Sequence, residues 1–245
     1  MRQILVWWMA AAALAPAADL KVLMIGAINP GFANIAAQYK TDTGHNIAMQ
    51  VDTAPGLTKR IAGGETADIL IAPDNVIDDA IKQGKAVAST RVAAVAKVGI
   101  GVAVPAGKKA PSVSTVEALK QALLSADSVV YNQGSSGLYI EKMIEQMGIA
   151  EQIRAKTVRF PNAGQVVNHV MDAKNSEIGF GPLPEIYSQD PKRLQSAGSL
   201  PAALQNYTSY TAVVMTGGNA EVARDFILYL TTPAARKTFA AAGVD

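Results

Sequence analysis

The chain has 245 residues, of which 49% are hydrophobic and 17% charged, and its formal net charge is +2. That length is roughly one and a half times the ~150 residues usual for a domain, so one large or two small globular units are expected, and near-neutrality removes the electrostatic case for nucleic acid. Cysteine is absent, which excludes thiolate zinc sites, iron–sulfur clusters, cysteine nucleophiles and disulfides.

Arg2 precedes an apolar run from Ile4 to Ala15, which leads into Ala15-Pro16-Ala17-Ala18 and Asp19. The run falls short of the ~20 residues of a membrane span, and Ala-x-Ala fits cleavage after Ala17 or Ala18. Residues 1–18 therefore read as a signal peptide, and the periplasm as the destination. From Asp19 onward the chain alternates β-type runs with amphipathic helices, an α/β signature. Leu20–Ile25 reads as a strand, and Phe32, Ile35, Ala36 and Tyr39 place a helix before Gly44. Ile47, Met49 and Val51 alternate in a second strand; Pro55 opens a short helix; Asp68–Ala72 is a buried strand running into a helix over Asp74–Gln83.

Val92–Val104 is a long β-branched run ending at Pro105-Ala106-Gly107-Lys108-Lys109, which reads as a passage between lobes. Beyond it, Ser114-Thr115-Val116-Glu117 is a capping box, and strands at Ser128–Asn132, Thr157–Phe160 and Glu177–Gly181 alternate with helices starting near Ser136 and Ala163. Tyr210–Met215 is strand-like, and helices at Ala220–Leu230 and Pro233–Ala241 end the chain. If these rejoin the first unit, residues 19–104 plus 209–245 form one lobe and 105–208 the other. Each lobe is expected to be a mixed sheet flanked by helices, with a ligand cleft between them.

Enzyme motifs are poor. His45 and His169 are the only histidines, and neither has a partner at ligand or triad spacing. Gly134-Ser135-Ser136-Gly137-Leu138 lacks the last glycine of a nucleophile elbow, and Gly101 to Gly107-Lys108-Lys109 is misspaced for a phosphate loop. Asp74, Asp78 and Asp79 read as charge compensating a helix N-terminus rather than as metal ligands. A secreted serine hydrolase using Ser135 or Ser136 is the rival of another class, and it needs a base that the sequence does not supply nearby.

The informative pattern lies where strands give way to helices. Four junctions carry small polar residues: Gly26-Ala27-Ile28-Asn29, Thr53-Ala54-Pro55-Gly56, Asn132-Gln133-Gly134-Ser135-Ser136-Gly137 and Asn162-Ala163-Gly164-Gln165. In open α/β sheets ligands bind beyond the carboxyl ends of strands, where unpaired N–H groups favour an anion. Two such junctions fall in each expected lobe.

With these junctions in place, the chain resembles the type 2 periplasmic solute-binding proteins of ABC transporters, in particular their molybdate-binding branch. The carrying segments are Leu20-Lys21-Val22-Leu23-Met24-Ile25-Gly26-Ala27, Ala67-Asp68-Ile69-Leu70-Ile71-Ala72-Pro73-Asp74 with Gly84-Lys85, Gly134-Ser135-Ser136-Gly137, Ile178-Gly179-Phe180-Gly181 and the terminal Phe226–Asp245 pattern. The resemblance implies two hinged lobes, a small anion of molybdate type held by uncharged donors, an ABC permease as partner, no cofactor and no catalysis. A monomer is expected. Ile28 stands where that branch has serine, Thr53-Ala54-Pro55 where it has a serine-rich turn, and Pro182 where it has tyrosine, so a small organic acid, with Arg159 or Lys59 as carboxylate partner, is the alternative ligand. A sensor on the same fold is the alternative role. The candidate ligand-binding residues are Ala27, Ile28, Asn29, Thr53, Ala54, Ser135, Ser136, Gly137, Asn162, Gln165 and Pro182.

Overall fold

The computed structural model describes residues 18–245, so all of the expected leader except Ala18 lies outside the described residues. Strands β1 (Asp19–Ile25), β2 (Asn46–Asp52), β3 (Ile69–Ala72), β4 (Val92–Val98) and β10 (Thr208–Val214) form one sheet in the order β2-β1-β3-β10-β4. Strands β5 (Ile100–Pro105), β6 (Ser128–Asn132), β7 (Thr157–Phe160), β8 (Glu177–Pro182) and β9 (Leu194–Ser199) form the other in the order β7-β6-β8-β5-β9. The two orders follow one plan. Three parallel strands are extended by an antiparallel one, β10 against β3 and β5 against β8.

In each sheet the chain steps from the second strand to its outer neighbour and then back across it, β1 to β2 to β3 and β6 to β7 to β8. The switch in direction leaves a crevice at the carboxyl ends of those strands. The connecting helices are α1 (Asn29–Thr43), α2 (Ala54–Ala62), α3 (Asp74–Lys82), α4 (Val116–Ser125), α5 (Ser135–Gln146), α6 (Ala150–Ile153), α7 (Ala163–Asp172) and α8 (Leu183–Tyr187). Two more, α9 (Ala220–Leu230) and α10 (Pro233–Ala241), return to the first sheet.

Both faces of the central strands are covered, which is why β1 reads as an almost continuous apolar run. Its Leu20, Val22 and Met24 enter one core with Phe32 of α1 and Phe226 of α9, while Leu23 enters another with Leu57 of α2 and Val76 of α3. The second sheet repeats the division: Val129 and Tyr131 pack with Ile140 and Ile144 of α5, and Val130 with Val166 and Val170 of α7.

The passage between sheets is not at residues 105–109. It is at Gly99, so Ile100–Val104, expected in the first lobe, belong to the second sheet. The apolar run is continuous because β4 and β5 each need buried side chains, and only Gly99 separates them. A Cβ there would lie 3.1 Å from the Gln205 side chain and from the Tyr207 ring, so glycine lets the two connecting segments touch. Gln205 then grips Ile100 as a strand would: its Oε1 accepts the Ile100 N–H at 2.8 Å and its Nε2 donates to the Ile100 carbonyl at 3.0 Å. Strand β9 and the short helix α6 are additions to the expected elements.

Gln205→Ala removes both bonds where the chain crosses. Urea unfolding should show a loss of about 1–3 kcal/mol, and an unchanged midpoint would mean that the crossing segments hold each other by other contacts.

Candidate ligand-binding site

The four junctions differ in what happens to their free N–H groups. At the start of α5, Asn132 is 5% exposed, and its Oδ1 accepts the N–H of Gly134 at 2.7 Å and of Gly137 at 3.3 Å. Its Nδ2 donates to Ser136 Oγ at 2.9 Å. A Cβ on Gly137 would stand 1.6 Å from the Asn132 carbonyl oxygen, so the turn closes tightly on this asparagine. The helix start is filled by the protein's own amide.

The start of α2 is filled as well. Asp52 Oδ1 accepts the Thr53 N–H at 2.7 Å and lies 1.9 Å from where a Cβ on Gly56 would sit, while Thr53 Oγ1 accepts the Gly56 N–H at 3.2 Å. Arg60 backs this arrangement, 3.5 Å from Asp52 and 2.6 Å from Glu65, and Lys21 reaches Glu65 at 2.9 Å. The Arg60 guanidinium, followed by Lys21, holds the Glu65 carboxyl down at about 2.

The remaining two junctions face each other across a cleft of about 550 Å³ between the sheets. From the first side come Gly26, Ala27, Asn29 and Pro30, where a 3₁₀ turn over Gly26–Ile28 runs into α1. From the second come Asn162, Ala163 and Gly164 at the start of α7, with Asn162 Oδ1 capping the Gln165 N–H at 2.9 Å. Pro182, Glu185, Ser188 and Gln189, on and beside α8, complete the wall. Among the described residues Glu185 is its one ionisable side chain, and burial pushes that carboxyl up from its ordinary value. Ser188 Oγ and Gln189 Nε2 donate to the Glu185 backbone carbonyl at 2.9 and 3.0 Å.

Of the expected ligand-binding residues, Ala27, Asn29, Asn162 and Pro182 line the cleft. Ile28 is fully buried in the core beside Phe32 and gives its side chain to packing instead. Thr53 and Ala54 sit at the closed start of α2, and Ser136 and Gly137 at the closed start of α5, outside the wall; Ser135 is the first residue of α5. Gln165 contributes the N–H that Asn162 caps and is not part of the wall either. Arg159 lies elsewhere too, 5.3 Å over the Tyr131 ring and 3.1 Å from Glu141. Lys59 is exposed on α2. The strand-end rule applied to a fifth junction, Gly181-Pro182-Leu183-Pro184-Glu185, would have found Glu185.

The hydrolase reading finds no support in these contacts. Ser136 Oγ bonds Asn132, His45 Nδ1 accepts the Ala18 N–H at 2.9 Å, and His169 Nε2 lies 3.0 Å from Glu177.

Residues 20–245 match the family described as bacterial extracellular solute-binding protein. The chain belongs to this family. Within it, the chain is 27% identical over 236 residues to an aconitate isomerase from a Pseudomonas species, covering 94% of this chain and 88% of that one. It is 24% identical over 235 residues to a molybdate-binding protein of Azotobacter vinelandii, covering 95% and 92%. The fold is shared with that periplasmic protein's structure at a TM-score of 0.69, with 18% identity over 92% of this chain and 98% of the other. It is also shared with L-phospholactate-bound PEB3 at 0.68, with 17% identity over 92% and 99%. The two-sheet, type 2 solute-binding architecture of the molybdate-binding kind is therefore established.

Two measurements test the closed junctions of this solute-binding protein. Asn132→Ala strands a buried Gly137 N–H and should cost about 1–3 kcal/mol in urea unfolding; no loss would mean that the α5 start is satisfied by other groups. Glu65→Gln should lower the midpoint at pH 7. The Glu65 carboxyl titrates at about 2 when folded against an ordinary 4.5, so its contribution is present above about pH 4.5 and lost as pH falls toward 2. Wild type and variant should converge there, and a gap independent of pH would show that packing, not charge, is what Glu65 supplies.

Proposed function

We propose that this protein is the periplasmic solute-binding component of an ABC transporter, that it captures a small organic acid by closure of its two lobes, and that it presents it to a membrane permease. The observation that carries the reading is the cleft. Two helix-start segments, one from each sheet, face a single volume of about 550 Å³. That lies within the roughly 300–1,000 Å³ of small-molecule sites and leaves room for a ligand larger than a five-atom oxyanion.

The wall favours an organic skeleton over molybdate. Ala27, Pro30, Ala163 and Pro182 offer apolar surface, and neither Thr53 nor Ser136 reaches it with a hydroxyl. A carboxylate at Glu185 repels an anion brought close: at 4 Å and an effective dielectric near 20 the cost is ~4 kcal/mol. A ligand with its charge at one end and an apolar or hydroxylated body at the other can keep its charge at the Gly26–Ile28 turn, which has no side-chain cap, rather than beside Glu185.

A catalytic reading has one observation in its favour. Glu185 is a carboxyl of raised proton affinity inside the cleft, the kind of group an isomerase working by proton transfer would use, and one relative is named an aconitate isomerase. The wall has no second ionisable group to return a proton. Binding without turnover is the reading adopted.

A thermal-shift screen of molybdate, tungstate, sulfate, phosphate and small carboxylates tests it. A true ligand at 100 times its Kd adds ~2.7 kcal/mol, roughly 5–10 °C in Tm for a chain of this size. Carboxylates should move Tm and molybdate should not. No shift from any anion would remove the reading, and sub-micromolar molybdate binding would reverse the choice of ligand. Incubation with cis- and trans-aconitate, monitored by NMR, should show no interconversion; turnover lost in Glu185→Gln would establish the enzyme instead.

A further inference from the structure

Glu185 is placed where a solute-binding cleft for simple oxyanions gains nothing from it. It reaches back from the first turn of α8 toward the first turn of α7, and its Oε1 lies 3.2 Å from the position of a Cβ on Gly164. Gly164 thus leaves the space in which the carboxylate rests. The side chain has no ion-pair partner among the described residues, and its proton affinity is raised by burial alone. The rest of the wall is uncharged.

An ionised carboxylate only accepts hydrogen bonds. Sulfate and molybdate at neutral pH only accept as well, so neither can bond it, and a plain dicarboxylate has the same defect. A hydroxyl group on the ligand changes the sign of the contact, because it donates to the carboxylate while the ligand's own charge lies elsewhere. We infer that Glu185 makes the cleft selective for a hydroxy acid, accepting a hydrogen bond from the ligand's hydroxyl and turning away anions that carry no donor. The inference rests on the reading of the cleft as the anion site and adds the class of anion.

The selectivity has the form in which polar sites discriminate best. An acceptor that a bound ligand covers is satisfied by its hydroxyl and left unpaired by the deoxy analogue, and the penalty falls on that analogue alone. Gly164 belongs to the same device, since a methyl group there would press on Oε1 without touching the fold of α7, in which alanine is the better helix former.

Isothermal calorimetry on wild type, Glu185→Gln and Gly164→Ala, with malate against succinate and lactate against propionate, tests the inference; sulfate and molybdate complete the panel. Wild type should prefer at least one hydroxylated member by about tenfold or more and should not bind sulfate or molybdate. Glu185→Gln, which is neutral and can also donate, should lose most of that preference and gain about tenfold or more toward donor-free anions. Gly164→Ala should weaken the hydroxy acid several-fold at an unchanged or raised urea midpoint. Equal binding of hydroxylated and deoxy acids, or a preference that survives Glu185→Gln, overturns the role of Glu185 while leaving the cleft an anion site. If no anion in the panel binds, the anion site itself fails and takes the inference with it.

Discussion

The constraint on which this molecule turns is that the first N–H groups of every helix need partners. At the start of α5 the Asn132 amide supplies them, and at the start of α2 the Asp52 carboxylate and Thr53 hydroxyl do. An unmet buried donor costs of order 1–3 kcal/mol, so a chain that fills a junction from within gains stability and gives up a binding surface. At α1 and α7 the balance falls the other way. The Asn162 side chain satisfies only the Gln165 N–H, and the turn at Gly26–Ile28 has no side-chain cap. The location of the cleft is set by which helix starts the protein leaves for something else to complete.

Having those two starts on different sheets makes the site depend on how the sheets are joined. The chain crosses once at Gly99 and returns through the segment around Gln205, and the Gln205 amide binds the Ile100 backbone so that the crossings act as one strap. Leu183 of α8 donates its N–H to the Gly99 carbonyl at 3.1 Å, which ties the helix bearing Glu185 to the same place. Under the proposed closure, a change of angle at the strap would move the α8 and α7 walls relative to α1, with each lobe's doubly covered sheet keeping its own wall together.

Much of this was legible in the sequence because period and punctuation are local. The apolar runs of β1, β3 and β6, the 3.6-residue spacing of Phe32, Ile35, Ala36 and Tyr39, and the caps Thr53, Thr115 and Asn162 each declare an element from a few neighbours. The crossing at Gly99 was hidden because hydrophobic continuity says that residues are buried, not in which sheet. The site was harder for a related reason. Asn132 and Asn162 both end a strand ahead of a helix, yet Asn132 reaches the N–H groups of Gly134 and Gly137 while Asn162 caps a single one and leaves Ala163 and Gly164 on a wall. That difference is set by the depth of each asparagine and by the closeness of Gly137, which composition does not carry.

A carboxylate inside the proposed anion cleft is less contradictory than its charge suggests. Glu185 lies against the first turn of α7, the end of a helix where an acid is tolerated best. The α1 start carries no such acid. The cleft is thus polarised along its length, with an acid-free turn that has no side-chain cap on the first-sheet side and a donor-seeking carboxylate on the second. Closure sharpens that difference, because removing water lowers the local dielectric and strengthens attraction and repulsion together. On the proposed reading, a symmetric anion would gain at one wall what it loses at the other, whereas an anion with its charge and its hydroxyl at opposite ends would gain at both.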